Sequence, residues 1–233
     1  MLGGAVRATA SHAAWGSGRR LATAVRAWGA RKSTVAKSAM ATEVTLERTE
    51  AGDWVIRDTE RLRHACESKG WFVLRTEAAL PSDLVRRVYQ RSREFHALPE
   101  SVKAKYAEGV VAGFIGGYTP YLEELAYKSN TAAHCSSWDC SRDLAPTHPA
   151  VAAGEARGVG PVRWPEEVPH FREDVRAFYA GADDVARALL SAFARMLHLE
   201  EVAFLSHYTE LSQSTLRLLY YPKTAAAPAP APA

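Results

Sequence analysis

Cysteine is scarce in this chain, and its spacing fits neither a disulfide framework nor a zinc site. The three thiols are Cys66, Cys135 and Cys140, with no Cys-x-x-Cys pair. Reduced thiols are therefore expected. His134, Cys135, Asp139 and Cys140 are residue types that bind metals, but four residues separate the two thiols and no second cluster follows. This pattern favours a polar loop with two ordinary thiols over a zinc site.

Long hydrophobic runs are also missing. The 233 residues contain 47% apolar and 24% charged residues, which are ordinary proportions for a globular domain. No window approaches 18 uninterrupted apolar residues, so a membrane-spanning helix is not expected. A chain of this length can bury one hydrophobic core and still carry tails. Composition therefore predicts one globular domain with no membrane partner.

Acidic residues are absent from the first 42 positions, which hold seven Lys or Arg. These cations are spread among small and hydroxyl residues, with Leu21, Val25 and Trp28 spaced for the apolar face of a helix. Such a segment is typical of an organellar transit peptide, so residues 1–42 are predicted to direct import into a mitochondrion or plastid. A disordered basic tail on a cytoplasmic protein is the alternative. A secretory signal is disfavoured because no continuous apolar stretch follows the cations.

The charge balance reverses after this leader. Residues 43–233 hold 22 basic and 26 acidic side chains, a net charge of −4, although the whole chain has a net charge of +3. A nucleic-acid partner is not expected for a mildly acidic body. The last residues, 223–233, form an Ala/Pro tail that cannot bury area or join a sheet, and an extended or disordered end is expected there.

Hydrophobic periodicity predicts a mixed α/β domain over residues 43–222. The predicted helices cover residues 59–69, 82–97, about 100–106, 169–197 and about 200–207. The predicted strands cover residues 53–58, 71–74 and 215–221, and the second of these is expected to be buried. Asp58 or Thr59 can cap the first helix, and Gly70 fits the left-handed position after it. Gly181, inside the longest helix, marks a bend or simply costs stability.

The stretch between residues 110 and 165 has no clear period and is predicted to be irregular. Gly113, Gly116 and Gly117 lie close together in it. A glycine group can cradle a phosphate, but this one lacks the Walker spacing and the Lys-Ser/Thr that follows it. A tight loop is the expected structure.

Six short motifs occur in an order that resembles a known family. The motifs lie at residues 65–74, 93–106, 117–118, 138–139, 164–172 and 216–222. Each is weak alone, but together they span nearly the whole body of the chain. In this order they resemble the N-terminal region of plant-type (isopenicillin N synthase-like) 2-oxoglutarate- and Fe(II)-dependent dioxygenases.

The resemblance implies a fold, two cofactors and one site residue. The fold would be the N-terminal helical region and first strands of a double-stranded β-helix (jelly roll). The family uses Fe(II) and 2-oxoglutarate and acts on small molecules; the substrate here is unknown. Tyr221 matches a family tyrosine that contacts 2-oxoglutarate, whereas Leu219 replaces the family's asparagine in the same motif.

The family's iron ligands, His-x-Asp and a distant His, have no counterpart here, and its Arg-x-Ser clamp is also missing. No catalytic or metal-binding residue is therefore assigned in this chain. The expectation is an oxygenase polypeptide truncated before its iron-binding half and inactive alone. The alternative is a non-catalytic interaction module of the same family. An active enzyme with an unorthodox site is disfavoured.

One local match to an iron site is present, at His198 and Glu200 with His207 nearby. A histidine at a helix C-terminus explains His198 without a metal. The other histidines are expected to be surface or satisfied residues, with His12 in the leader. These are His64, His96, His148 and His170. Arg217 faces a ligand or forms an outward salt bridge.

Overall fold

The computed structural model describes residues 42–107, 116–122, 133–156, 158–208 and 214–223. The expectations for the leader, the Ala/Pro tail, His12 and Gly113 fall outside these residues. Six α-helices are seen in the described part: α1 (Thr59–Ser68), α2 (Ser82–His96), α3 (Glu100–Lys103), α4 (Pro149–Ala152), α5 (Phe171–Met196) and α6 (Glu201–Leu205). Seven strands accompany them: β1 (Glu43–Thr45), β2 (Glu47–Arg48), β3 (Trp54–Val55), β4 (Val73–Arg75), β5 (Gly116–Thr119), β6 (Ser136–Cys140) and β7 (Leu216–Tyr220). The predicted mixed α/β class is confirmed, with small sheets.

Helix α1 begins and ends as its sequence predicts. The Asp58 carboxylate accepts a hydrogen bond from the Arg61 amide at 2.9 Å, which satisfies one of the free donors of the first turn. Gly70 has φ +77°, the left-handed conformation expected after the helix. Leu62 and Ala65 are buried on one face. Local chemistry and burial therefore agree in this segment.

Helices α2 and α5 form the packed centre of the helical part. Asp174 of α5 is buried, and it accepts hydrogen bonds from Arg87 Nε at 2.8 Å and Arg91 Nε at 3.1 Å on α2. Burial alone opposes ionisation of Asp174, but the two guanidinium groups lower its pKa. These ion pairs fix the two helices side by side.

Gly181 lies in the middle of α5 because there is no space for a side chain. A Cβ built at this position would lie 2.5 Å from the carbonyl oxygen of Ala79 and 2.7 Å from Leu80 Cδ2. Helix α5 runs through Gly181 as one 26-residue element. The glycine therefore permits close approach of the segment before α2.

The short strand predicted near residues 71–74 is present but begins two residues later, and the prediction that it is buried is wrong. Strand β4 covers Val73–Arg75 and pairs in parallel with β1, while Trp71 is 52% exposed and Val73 is also exposed. The short apolar run lies at an edge, where only Leu74 and Phe72 pack against the core. The predicted opening strand is reduced to the two residues of β3, paired with β2.

The predicted irregular stretch contains the principal sheet. Strand β6 pairs antiparallel with both β5 and β7, giving the order β5-β6-β7, and all five residues of β6 are buried. Tyr118, Trp138 and Leu218 lie side by side in this register. Gly116 and Gly117 belong to β5, so the expected tight glycine loop is wrong at these two positions.

The described residues form two hydrophobic clusters. One lies between the β5-β6-β7 sheet and helices α2 and α5, where Phe95 contacts the rings of Tyr118, Trp138 and Phe171 edge-on or tilted. The second lies under the β1–β4 edge. No helix in the described ranges is both long and apolar enough to cross a bilayer.

Candidate functional site

The β5-β6-β7 sheet has one apolar and one polar face. Side chains alternate along a strand, so Tyr118, Trp138 and Leu218 point to the helices and their neighbours point away. The residues on the opposite side are Thr119, Ser137, Asp139, Arg217 and Leu219, here called the polar face. Hydroxyl, carboxylate and guanidinium groups at buried or half-buried positions suit a ligand-binding wall better than a hydrophobic core.

An ion pair occupies the centre of the polar face. Arg217 Nη2 lies 2.7 Å from Asp139 Oδ2, and Arg217 Nε lies 3.0 Å from both carboxylate oxygens. Asp139 is 1% exposed. The salt-bridged alternative for Arg217 is therefore the one found, although its partner is a buried residue. Both oxygens of the Asp139 carboxylate are therefore hydrogen-bonded to Arg217.

Ser137 adds a second polar group to this face. It is fully buried, and its Oγ has no hydrogen-bond partner among the described residues. Buried hydroxyls are usually satisfied by protein or water. Ser137 therefore gives the polar face a buried hydroxyl that has no partner among the described residues.

His96 lies on the other side of the sheet and is buried. Leu218 O can only accept, so His96 Nε2 donates to it at 3.3 Å, and Nδ1 accepts from the Ser136 hydroxyl at 3.2 Å. The imidazole stacks on Tyr220 with ring centroids 5.0 Å apart. Burial, opposed by the Leu218 carbonyl and assisted by Lys103, lowers the pKa of His96 to about 4. His96 is therefore neutral near pH 7, and the prediction of a satisfied histidine is confirmed.

A depression of 360 Å³ opens beside this histidine at the end of β7. Lys103 Nζ lies in its wall, 3.0 Å from Glu100 Oε2 and 5.1 Å from the centroid of the Tyr118 ring. Tyr220, Pro222 and Lys223 line the same depression. The carboxyl end of β7 therefore forms part of the wall of this depression.

Tyr221, the predicted 2-oxoglutarate contact, follows the last residue of β7 and is 69% exposed. Arg217 and Leu219 precede it at alternate positions of the strand. The exposed phenol is accessible to a ligand or to another segment, and its assignment stays a prediction.

The residues of the local iron match do not converge. Glu200 is the N-cap of α6, where its carboxylate accepts hydrogen bonds from the amides of Val202 and Ala203 at 3.2 and 2.6 Å. His198 is exposed with φ +55°, in the turn after α5. Within the described ranges, no three His, Cys, Asp or Glu side chains are grouped to hold a metal ion.

The cysteine-containing group is also separated, by strand geometry. Cys140 points into the apolar cluster, whereas Asp139 points to the polar face, and His134 Nδ1 lies 2.8 Å from the Tyr121 hydroxyl. Burial raises the pKa of Cys140 to about 12. The polar loop expected here is wrong, because residues 136–140 form the central strand. The signal available in the sequence was the alternation of apolar Trp138 and Cys140 with polar Ser137 and Asp139.

Three further histidines lie on helices or at their starts. His64 is exposed, and His170 Nδ1 lies 3.1 Å from Glu173 Oε2 at the start of α5. The Nδ1 of His148 accepts from the Ala150 amide at 3.3 Å and caps α4. None of these three lies in the β5-β6-β7 sheet.

Comparison with known proteins agrees with the sequence motifs. Residues 55–167 match the family model described as non-haem dioxygenase in morphine synthesis, N-terminal. The chain is 27% identical over 166 residues to the 2-oxoglutarate-Fe(II) type oxidoreductase hxnY of Emericella nidulans, covering 70% of this chain and 46% of the relative. It is 29% identical over 178 residues to the clavatol oxidase claD of Penicillium crustosum, covering 70% and 51%.

A solved structure of a 2OG-Fe(II) oxygenase family protein is also similar to this chain. A protein of the 2OG-Fe(II) oxygenase family from Caulobacter crescentus aligns with a TM-score of 0.51 and 32% identity, over 65% of this chain and 46% of that one. The chain spans about half the length of the curated relatives it matches. Over residues 55–167 it carries the N-terminal, non-haem dioxygenase domain of the 2-oxoglutarate/Fe(II)-dependent dioxygenase family.

Proposed function

We propose that residues 43–222 are the N-terminal portion of a 2-oxoglutarate/Fe(II)-dependent oxygenase that acts on a small molecule. The observation that carries this proposal is the polar face of the β5-β6-β7 sheet. It places Ser137, Asp139 and Arg217 on one wall, with an apolar cluster behind them. In a jelly roll, such a wall would face the interior where substrate and cofactors bind.

The described residues do not fit Fe(II) by themselves. A facial triad needs two histidines and one carboxylate on one side of the metal. Here His96 is buried and hydrogen-bonded, Asp139 is paired with Arg217, and Glu200 caps a helix. We therefore propose that iron ligands come from sequence other than residues 43–222, and that this polypeptide alone does not turn over 2-oxoglutarate.

In a complete enzyme, these residues would position ligands and shield the site. The Asp139–Arg217 pair would hold the strand register and keep a fixed positive group near the wall. Tyr221 would offer a phenolic hydrogen bond to 2-oxoglutarate. In a complete enzyme, Fe(II) with O₂ as oxidant and 2-oxoglutarate as the co-substrate that is oxidised to succinate would supply the oxidising chemistry, which the present side chains do not.

The test of inactivity is an anaerobic Fe(II) titration of the full chain, combined with measurement of succinate formation from 2-oxoglutarate in air. The expected result is neither stoichiometric Fe(II) binding nor succinate. Saturable iron that is lost in His198→Ala, together with succinate formation, would overturn the proposal. Glu201→Gln is a matched control, because Glu201 lies beside the cap but outside the His-x-Glu match.

A second experiment tests the proposed role in a complete oxygenase. Residues 43–222 would replace the aligned part of the Caulobacter protein, so that its remaining sequence supplies the other half. The expected chimera forms succinate, and Tyr221→Phe raises its KM for 2-oxoglutarate, whereas Tyr220→Phe does not. A folded chimera whose KM is unchanged by Tyr221→Phe would contradict the assigned contact.

A non-catalytic interaction module is the second candidate function. Leu219, Tyr220 and Tyr221 are all exposed at the end of β7, and such apolar groups mark surfaces that are covered by another segment or partner. A folded chimera that binds iron yet forms no succinate, while the parent protein does, would favour this candidate.

A further inference from the structure

We propose a binding site for a small carboxylate in a cavity between the end of β6 and the middle of α5. The cavity has a volume of 270 Å³. Pockets for drug-sized ligands start at about 300 Å³, so this one suits a smaller acid. It lies on the helix side of the sheet, away from the polar face, and the proposal does not rest on the proposed oxygenase function. Its lining includes Cys140, Ser141, Arg142, Trp164, Arg176 and Tyr179.

Two consecutive residues of the lining have unsatisfied polar atoms. Ser141 is 2% exposed, and its Oγ has no hydrogen-bond partner among the described residues. The Nε of Arg142 is likewise buried and without a partner there. Buried polar atoms are normally satisfied. An N–H can only donate, and a hydroxyl can donate, so the complementary group is an acceptor.

Arg142 is held in place for this role. Its Nη2 donates to Asp183 Oδ1 at 2.6 Å, and Asp183 also accepts from Tyr208 at 2.8 Å and Arg187 at 3.0 Å. Burial opposes ionisation of Asp183, but these donors lower its pKa, so the anchoring carboxylate stays charged. The guanidinium is therefore oriented before any ligand arrives.

The other carboxylates of the lining already have donors. Asp143 accepts from the Val162 amide at 3.0 Å and from Trp164 Nε1 and Arg172 Nη2 at 3.1 Å. Asp184 accepts from the indole of Trp54 at 3.0 Å. Among the described residues, these contacts leave Ser141 Oγ and Arg142 Nε as the unsatisfied donors of the lining, so the site calls for an external acceptor.

The remaining walls match the rest of a small organic acid. Arg176 is half exposed, with its Nε 3.5 Å from Asp143, and it adds a cation to the lining. Trp164 and Tyr179 present aromatic surface for an apolar body. A planar aromatic carboxylate combines both features, so benzoate is a suitable probe.

The test is a titration of the ¹⁵N-labelled full chain with benzoate, following the Arg142 Nε–H resonance. That resonance is assigned by its absence in Arg142→Lys. We expect a saturable shift, weaker binding of the neutral isostere benzamide, and about tenfold weaker benzoate binding in Ser141→Ala, since a hydrogen bond to a charged group is lost. Ser206→Ala, an exposed hydroxyl outside the cavity, should leave the affinity unchanged.

Thermal unfolding distinguishes a ligand-binding site from a cavity whose polar groups are satisfied by water. Removing an unsatisfied hydroxyl should leave the Tm of Ser141→Ala equal to or above that of the unmodified chain. A lower Tm without any saturable benzoate shift would show that water satisfies Ser141, and would overturn the proposal. Equal affinities for benzoate and benzamide, or benzoate binding unaffected by Ser141→Ala, would overturn it as well.

Discussion

Asp139 and Arg217 lie directly opposite each other on β6 and β7, and the guanidinium contacts both oxygens of the carboxylate at 2.7–3.0 Å. The two partners differ in burial, since Asp139 is 1% exposed and the Arg217 side chain is 40% exposed. Arg217 can reach water, whereas Asp139 cannot. The cost of removing one partner should therefore differ from the cost of removing the other, and the two costs can be measured.

Removing the arginine should destabilise the protein more than removing the aspartate charge. Arg217→Met takes the guanidinium away from a buried carboxylate, and breaking a buried pair in this way costs about 3 kcal/mol. Asp139→Asn leaves a cation that solvent can reach, so the expected cost is about 1 kcal/mol. Urea unfolding of both single variants and the double variant gives the two costs and their coupling.

Arg217→Lys is the control, because it keeps the charge but loses the two-oxygen contact. The free energy of unfolding of Arg217→Lys should lie between that of the unmodified chain and that of Arg217→Met. Equal free-energy costs for Arg217→Met and Asp139→Asn would show that the burial of Asp139 does not set the energetics of the pair.

Gly181→Ala should destabilise the fold although alanine is the better helix former. The new Cβ would lie 2.5 Å from a backbone oxygen of Ala79, which cannot rotate away. Overpacking of this kind costs about 1–3 kcal/mol, more than the gain of about 1 kcal/mol in helix propensity. Ala177→Gly on the exposed side of α5 measures that propensity difference in the same helix. A higher Tm for Gly181→Ala would refute the close approach.

Stability should fall as the pH drops from about 6.5 toward 4 because of His96. Its pKa is lowered from 6.5 to about 4 in the folded chain, so the unfolded chain binds the proton more tightly in this window. The contribution is fully present above pH 6.5 and decreases as the pH falls, by at most about 3 kcal/mol.

Urea unfolding between pH 4.5 and 7 measures this dependence. His96→Gln removes the titrating group and should flatten the curve, while His64→Gln, an exposed control, should not. An unchanged pH dependence in His96→Gln would exclude His96 as its source.

Residues 1–42 are predicted to direct import into an organelle, on the basis of seven cations and no acid. A fluorescent reporter fused after residue 45 should localise to mitochondria or plastids. A matched fusion with the seven cations changed to glutamine should remain in the cytosol. Cytosolic fluorescence of the unmodified fusion would refute the prediction.

Local sequence was sufficient for the long helices α1, α2 and α5, but not for the four-residue helix α4. The apolar repeat of α2 and α5, the Asp58 cap and Gly70 each act within a few residues of their own position, so their conformations follow from neighbouring sequence. The family motifs could also be recognised, because their order along the chain can be read without knowing any contacts. The family and most helix boundaries were therefore predictable.

The central strand was not recognised, for a physical reason. β6 is buried on both faces, and polar and apolar residues alternate over only its last four positions. It pairs with strands near residues 118 and 218. Its burial depends on contacts distant in sequence. The reverse error occurred at Trp71, where an apolar run predicted burial and the edge position left it exposed.

The amino-acid sequence by itself determined the long helices, the cap of α1, the basic charge of residues 1–42 and the dioxygenase resemblance, since these depend on local chemistry or motif order. Tertiary structure alone decided which polar groups meet. It placed Asp139 against Arg217, buried His96 under Tyr220, and brought Ser141 and Arg142 to one cavity. The burial that sets pKa values and leaves hydrogen-bonding groups unsatisfied exists only after distant segments have packed together.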